Sequence, residues 1–212
     1  MPLKSFQIAQ REFQLLLPDP VEMLEEAVAG ESVGCSGWDP YWGLVWSAGP
    51  ITAELLLRGT PRCRRALELG CGVGVCGVAA IAAGLPVTFS DQSSAAVEMA
   101  RGNAARNGFA DVPGLVFGWD APPASEGRWD FLFGSDILYD RAGHEPLLRT
   151  IRQLLRPGGR VWIGDAGRAN APLFVELAEA DGWSVKLFDQ QLRPVRDFGH
   201  LSFRLIVMEA DR

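Results

Sequence analysis

The stretch Ala66-Leu67-Glu68-Leu69, followed at once by Gly70-Cys71-Gly72-Val73-Gly74, constrains this chain more than any other part of it. A short apolar run enters a loop built on alternate glycines, and an alanine-rich segment of helical character begins directly afterwards. Glycine in such a loop lets the backbone approach a ligand closely, and the start of the following helix offers N–H groups with no partner of their own. The next apolar run, Val87–Ser90, ends on Asp91. An acid about 20 residues past the glycines is placed to accept hydrogen bonds from both hydroxyls of a ribose. The pairing points to a nucleoside-containing cofactor held at the carboxyl ends of parallel strands.

From Arg65 onward, short apolar runs alternate with longer amphipathic ones, which is the pattern of a mostly parallel sheet covered by helices on both faces. The spacing predicts strands over Ala66–Leu69, Val87–Ser90, Leu115–Phe117, Phe131–Gly134 and Val161–Gly164. Helices are expected over Val75–Ala83, Ser94–Asn107, Glu145–Leu155 and Ala171–Ala180. Two further strands, Ser184–Phe188 and Ser202–Met208, have no helical segment between them and are expected to pair antiparallel. The fold class is therefore α/β and Rossmann-like. Upstream, Phe6 to Leu17 alternates as strands do and stops at Pro18-Asp19-Pro20, while Val21–Ala29 carries apolar residues at helical spacing before Gly30. Asp39-Pro40 signals a helix start that would put Trp42 and Trp46 on one face. With no repeat or linker, residues 1–37 are expected to pack as an N-terminal cap on a single domain over 38–212.

Composition narrows the function. A net charge of −6 sets the chain against nucleic acid, whose phosphates would meet a like-charged surface. Cys35, Cys63, Cys71 and Cys76 form no CxxC pair, and the two histidines, His144 and His200, lie far from them, so a structural zinc site is not expected. Free thiols, and charges that interrupt the first residues before an apolar run develops, predict a cytoplasmic, monomeric protein with no membrane attachment. The uncharged stretch from Leu69 to Ser90 contains five glycines between Gly70 and Gly84 and Pro86, so it reads as strand, loop, helix and turn rather than as a membrane span.

Gly72-Val73-Gly74-Val75-Cys76-Gly77 also satisfies the GxGxxG pattern of dinucleotide sites, which leaves a nicotinamide or flavin cofactor as an alternative. Glu68 shifts the reading. An acid inside the strand, two positions before the first glycine, suits a cationic sulfonium cofactor better than a pyrophosphate, and S-adenosylmethionine becomes the leading cofactor.

Read together, Glu68 to Gly74, Asp91, Trp119-Asp120, Ser135-Asp136-Ile137-Leu138-Tyr139 and Leu155-Arg156-Pro157-Gly158-Gly159 resemble, in order, the motifs of the class I, seven-β-strand S-adenosylmethionine-dependent methyltransferases. The resemblance runs from about Trp38 to the C-terminus. It implies a sheet in the order 3-2-1-4-5-7-6 with the last strand antiparallel. Asp136-Ile137-Leu138-Tyr139 is similar to the D/E-x-x-Y/F motif of the family 16 lysine methyltransferases. Asp39-Pro40-Tyr41-Trp42-Gly43 and Ile163-Gly164-Asp165-Ala166-Gly167-Arg168 resemble most the members that act on the β subunit of electron transfer flavoprotein, although Ala166 stands where a proline is usual. The likeness implies a protein partner of that kind carrying an acceptor lysine.

By this resemblance Gly70 and Gly72 line the methionine part of the cofactor, Glu68 faces its ammonium, Asp91 holds the ribose and Trp119 covers the adenine. Ser135 approaches the cofactor through its backbone, and Trp46 matches an upstream cofactor-contacting tryptophan. Asp136 would accept a hydrogen bond from the acceptor amine, with Tyr139 as the wall of its channel. Some of these have a plainer reading beside them: Trp119 as core, Trp42 and Trp46 as a packing stripe, Asp136 as a helix cap or surface carboxylate, Tyr139 as ordinary packing. His144 reads as an exposed residue at a helix start, Cys71 as a space-filler, and Asp165 with Arg168 as a border of the substrate entrance. A small-molecule N-methyltransferase and a non-catalytic cofactor-binding protein are the alternatives to protein lysine methylation.

Overall fold

The computed structural model describes residues 1–19, 21–25, 40–124, 129–197, 199 and 202–210. Strands β1 (Leu3–Ile8) and β2 (Arg11–Leu16) form an antiparallel hairpin. Residues 21–25 are helical. The rest of the expected Val21–Ala29 helix, with Gly30, Cys35 and Asp39, lies outside the described residues, as does His200. A single 3-10 turn, Pro40–Gly43, stands where a longer helix is expected, and helix α1 begins only at Ala48 and runs to Arg58. Trp42 and Trp46 therefore do not share a helix face. Trp42 is half-buried and Trp46 is exposed.

The main sheet is laid down by β3 (Ala66–Leu69), β4 (Val87–Asp91), β5 (Gly114–Val116), β6 (Trp129–Ser135), β7 (Leu155–Asp165), β8 (Trp183–Phe188), β9 (Pro194–Val195) and β10 (Arg204–Ala210). Across it the order is β5-β4-β3-β6-β7-β10-β8-β9. The first five are parallel neighbours, and β10 runs antiparallel between β7 and β8. Between the strands lie α2 (Val75–Ala82), α3 (Ser94–Arg106), α4 (His144–Leu154) and α5 (Ala171–Ala180). β7 starts earlier than expected, because Leu155-Arg156-Pro157-Gly158-Gly159 already belongs to it and is accommodated by a register shift against β6. β9, two residues at the edge, is additional.

Central strands covered on both faces must be apolar on both, and β6 divides its side chains accordingly. Phe131 and Phe133 pack with α2, α3 and the hairpin. Leu132 packs on the opposite face with Leu147, Leu148, Ile151 and Leu154 of α4 and with Phe174 of α5. Phe131 and Phe133 stack at 5.4 Å. The hairpin is fastened by α3: Asn103 accepts from Leu16 N at 2.7 Å and donates to Leu16 O at 3.0 Å and Val73 O at 2.9 Å. Asn107 makes the equivalent pair with Gln14 at 3.0 and 2.8 Å. Among the described residues no helix is long and apolar enough to cross a membrane.

Candidate active site

β3 has β4 on one side and β6 on the other, and the chain leaves it first toward β4, so the loop crossings diverge on either side of its carboxyl end. Open α/β sheets bind their ligands at such a point. A cavity of about 830 Å³ lies there. It is lined by every residue given a catalytic or cofactor role from the sequence: Trp46, Glu68, Gly70, Gly72, Asp91, Trp119, Ser135, Asp136 and Tyr139. Tyr41, Trp42 and Arg168 also line it.

The glycine loop forms the floor. Gly70 and Gly72 have φ of +63° and +49°. A Cβ on Gly70 would stand 2.8 Å from Ile137, and one on Gly72 would stand 2.8 Å from the carbonyl oxygen of Trp42. The 3-10 turn thus lies directly over the loop, and neither position has room for a side chain. Gly72 N donates to Asp91 Oδ2 at 3.0 Å and Ser93 N to Asp91 Oδ1 at 3.0 Å, which fixes the carboxylate at the end of β4. Trp119 is half-buried in the loop after β5, edge-on to Phe117, with its carbonyl held by Thr150 Oγ1 at 2.8 Å.

Glu68 lies beneath α2, where the missing side chain of Gly77 makes space for its carboxyl and for the ring of Phe89. Its Oε2 is buried with no hydrogen-bond partner among the described residues. Burial pushes this carboxyl well above the usual range; the Gly77 N–H opposes the rise and the Asp91 charge adds to it. A buried carboxyl with one oxygen lacking a hydrogen-bond partner, at the edge of a cavity, is suited to receive a cation. An ammonium there, a ribose at Asp91 and a purine at Trp119 together match the parts of S-adenosylmethionine.

The other half of the cavity is built at the ends of β6 and β7. Asp136 has φ of +57°, and its backbone N donates to Gly164 O at 2.8 Å. Its carboxylate receives Ala48 N at 2.9 Å, capping α1, and Arg168 Nε at 3.2 Å. Asp136 is thus a buried cap on α1 that also lines the cavity, and not a surface carboxylate. Ser135 accepts from Thr52 Oγ1 at 3.3 Å. The Arg168 guanidinium lies 5.2 Å from the Trp46 ring centre and 5.9 Å from that of Tyr139. Trp46 Nε1 donates to Tyr41 O at 3.1 Å.

Asp165 does not border the entrance as expected. It is fully buried, and its Oδ1 accepts from Gly167 N at 2.8 Å and Arg168 N at 3.0 Å. His144 is not exposed either: it is buried, 3.3 Å from Leu138 O and edge-on at 5.5 Å to Phe174, a contact that arises only when α4 and α5 pack together. Cys71 fills space in the loop, and burial raises its thiol well above the usual range, away from nucleophilic use.

Comparison with known proteins agrees with this geometry. Residues 25–176 match the lysine methyltransferase family. The electron transfer flavoprotein beta subunit lysine methyltransferase of Danio rerio is 32% identical over 136 residues, covering 62% of this chain and 52% of that protein. The protein of the same name from Xenopus laevis is 33% identical over 136 residues, covering 62% and 54%. The chain thus spans about half the length of these curated relatives. Among solved structures, a TehB-like SAM-dependent methyltransferase from Corynebacterium glutamicum shares the fold, with a TM-score of 0.64 at 22% identity over 91% of this chain and 100% of that one. The chain belongs to the lysine methyltransferase family, whose match spans the glycine loop and the whole Asp136 to Arg168 side of the cavity.

Proposed function

We propose that the protein methylates the side-chain amine of a lysine on another protein, using S-adenosylmethionine. One observation carries the reading: the cavity lined by Glu68, Asp91 and Trp119 continues to the exposed rings of Trp46 and Tyr139, two aromatic faces above the buried carboxylate of Asp136. That cluster is what a cationic side chain would recognise.

The bound cofactor supplies an electrophilic methyl group on a sulfonium. The chain's own task is placement of a neutral amine in line with it. A free lysine has a pKa of about 10.4, so presenting it neutral at pH 7 costs roughly 4–5 kcal/mol, and an aromatic-walled channel that strips water from the amine lowers that cost. The Asp136 carboxylate, fixed by Ala48 N, would orient the amine by accepting its hydrogen bond. Trp46 and Tyr139 form the walls. Glu68 would hold the cofactor ammonium, Gly70 and Gly72 its methionine chain, Asp91 the ribose and Trp119 the adenine, with Ser135 beside the methyl-bearing end. The names of the relatives in Danio rerio and Xenopus laevis support the electron transfer flavoprotein β subunit as the acceptor. The three described cysteines are free thiols, which supports a reducing compartment, the cytoplasm, as the place of action.

Incubating the purified protein with tritiated S-adenosylmethionine and either soluble extract or purified β subunit tests the reading. Labelled protein, lost by at least about 100-fold with Asp136→Ala, is the expected result. Label confined to small molecules would turn the reading to a small-molecule N-methyltransferase. Absence of label despite cofactor binding would overturn catalysis altogether.

A further inference from the structure

We propose that Arg168 is an internal stand-in for the acceptor side chain, and that the need to displace it restricts the enzyme to lysines carried on proteins. This rests on the reading of Trp46, Tyr139 and Asp136 as the acceptor subsite. Arg168 already satisfies everything that subsite offers a cation. Its Nε donates to Asp136 Oδ1 at 3.2 Å, and its guanidinium faces Trp46 at 5.2 Å and Tyr139 at 5.9 Å. With the arginine in place the Asp136 side chain is 1% exposed, although both aromatic walls are open to solvent. An incoming amine cannot reach the carboxylate until the guanidinium leaves.

The arginine is built to hold this position and also to give it up. Its backbone is fixed, because Gly167 N and Arg168 N both donate to Asp165, which is fully buried and lies 3.7 Å from Arg204. Gly167 takes the φ of +79° that this turn requires. The side chain itself is 28% exposed at the cavity mouth, so it can swing outward without disturbing the core. A side chain tethered this closely competes at an effective concentration in the roughly millimolar range or above. A free alkylamine, with only an ammonium and a short apolar stem, lacks the contacts to win against it. A lysine on a folded protein brings its neighbours to the rim, where Tyr41 is exposed beside Trp46 at 6.1 Å, and those contacts supply the difference.

The test uses n-butylammonium and methylguanidinium as probes, with the full chain saturated with S-adenosylhomocysteine, and reads binding by tryptophan fluorescence and by the arginine Nε–H signals in NMR. Arg168→Ala is expected to bind n-butylammonium about tenfold more tightly than the native protein, and Arg168→Lys, which keeps a tethered cation, no more tightly. Methylguanidinium should compete with n-butylammonium in Arg168→Ala, and Asp136→Asn added to that variant should abolish both. Native and Arg168→Ala affinities within twofold, or tighter binding that survives Asp136→Asn, would overturn the proposal. Should Arg168→Ala fail to fold, Arg168→Gln keeps the stem and removes the charge. Because binding is read without turnover, a protein that methylates nothing would defeat the functional reading while leaving this result to stand or fall by itself.

Discussion

Glu68 is a single residue whose burial works against the unliganded fold. Its carboxyl is raised on folding by burial, so the sign of its pH effect follows directly. At low pH it is protonated in both folded and unfolded chains and costs nothing. As the pH rises past about 4.5 the unfolded chain ionises first, and stability falls until the pH has passed the folded value. Glu68→Gln removes this slope. The unliganded variant is expected to melt at the same temperature as the native protein near pH 4.5 and about 2–4 °C higher at pH 8, the shift that roughly 1 kcal/mol produces in a chain of this size. It should bind S-adenosylhomocysteine, which carries the same ammonium, at least about tenfold more weakly. Calorimetry across pH decides the matter: a melting difference that did not change with pH would remove Glu68 as the titrating group.

At the scale of elements, the hairpin and α3 are joined through side chains where two strands would use backbone. Asn103 is fully buried and serves Leu16 on both its N–H and its carbonyl, as well as Val73 O in the glycine loop. Asn103→Ala leaves the buried Val73 O and the part-buried Leu16 N and O without their side-chain partner and is expected to cost about 2–4 kcal/mol, read as a lower urea midpoint at unchanged slope. Asn107→Ala, where water replaces the lost partners of Gln14, should cost less than about 1 kcal/mol. Equal effects would mean that the hairpin does not depend on Asn103. These contacts also show where the sequence is legible. Strands covered on both faces read as apolar runs, so β3, β4, β6 and β7 and the glycine loop stand out, with Asp91 at its place. α1 does not, because Ala48 to Arg58 is apolar nearly throughout and its first turn is fixed by Asp136, 88 residues further on. Arg168 is visible as part of a motif, but its seat against Asp136 depends on β6 and β7 lying side by side. His144 is misjudged for the same reason, since the ring that buries it, Phe174, comes from another helix.

Over the whole molecule, the glycine loop lies where both packing layers meet, and its thiols report on how the domain opens. Cys71 is in the loop, and Cys76 in α2 donates to Gly49 O at 3.3 Å, so it joins α2 to α1. Both are buried, and burial raises both thiols well above the usual range, with the nearby carboxylates adding to the rise. A native thiol of this kind reacts only when the structure around it opens. Cys63, half-buried between α1 and β3, is raised less and has water access. If the loop opens only together with the sheet around it, Cys71 and Cys76 share one labelling rate. S-adenosylhomocysteine at 100 times its Kd should then slow both by about 100-fold, the linkage expected of a ligand that binds only the closed state. Cys63 should be nearly unaffected. Mass spectrometry of iodoacetamide-labelled peptides measures each site separately. Protection of Cys71 without Cys76 would mean instead that the loop opens alone, on a hinge at Gly74, while the packed layers beneath it stay closed.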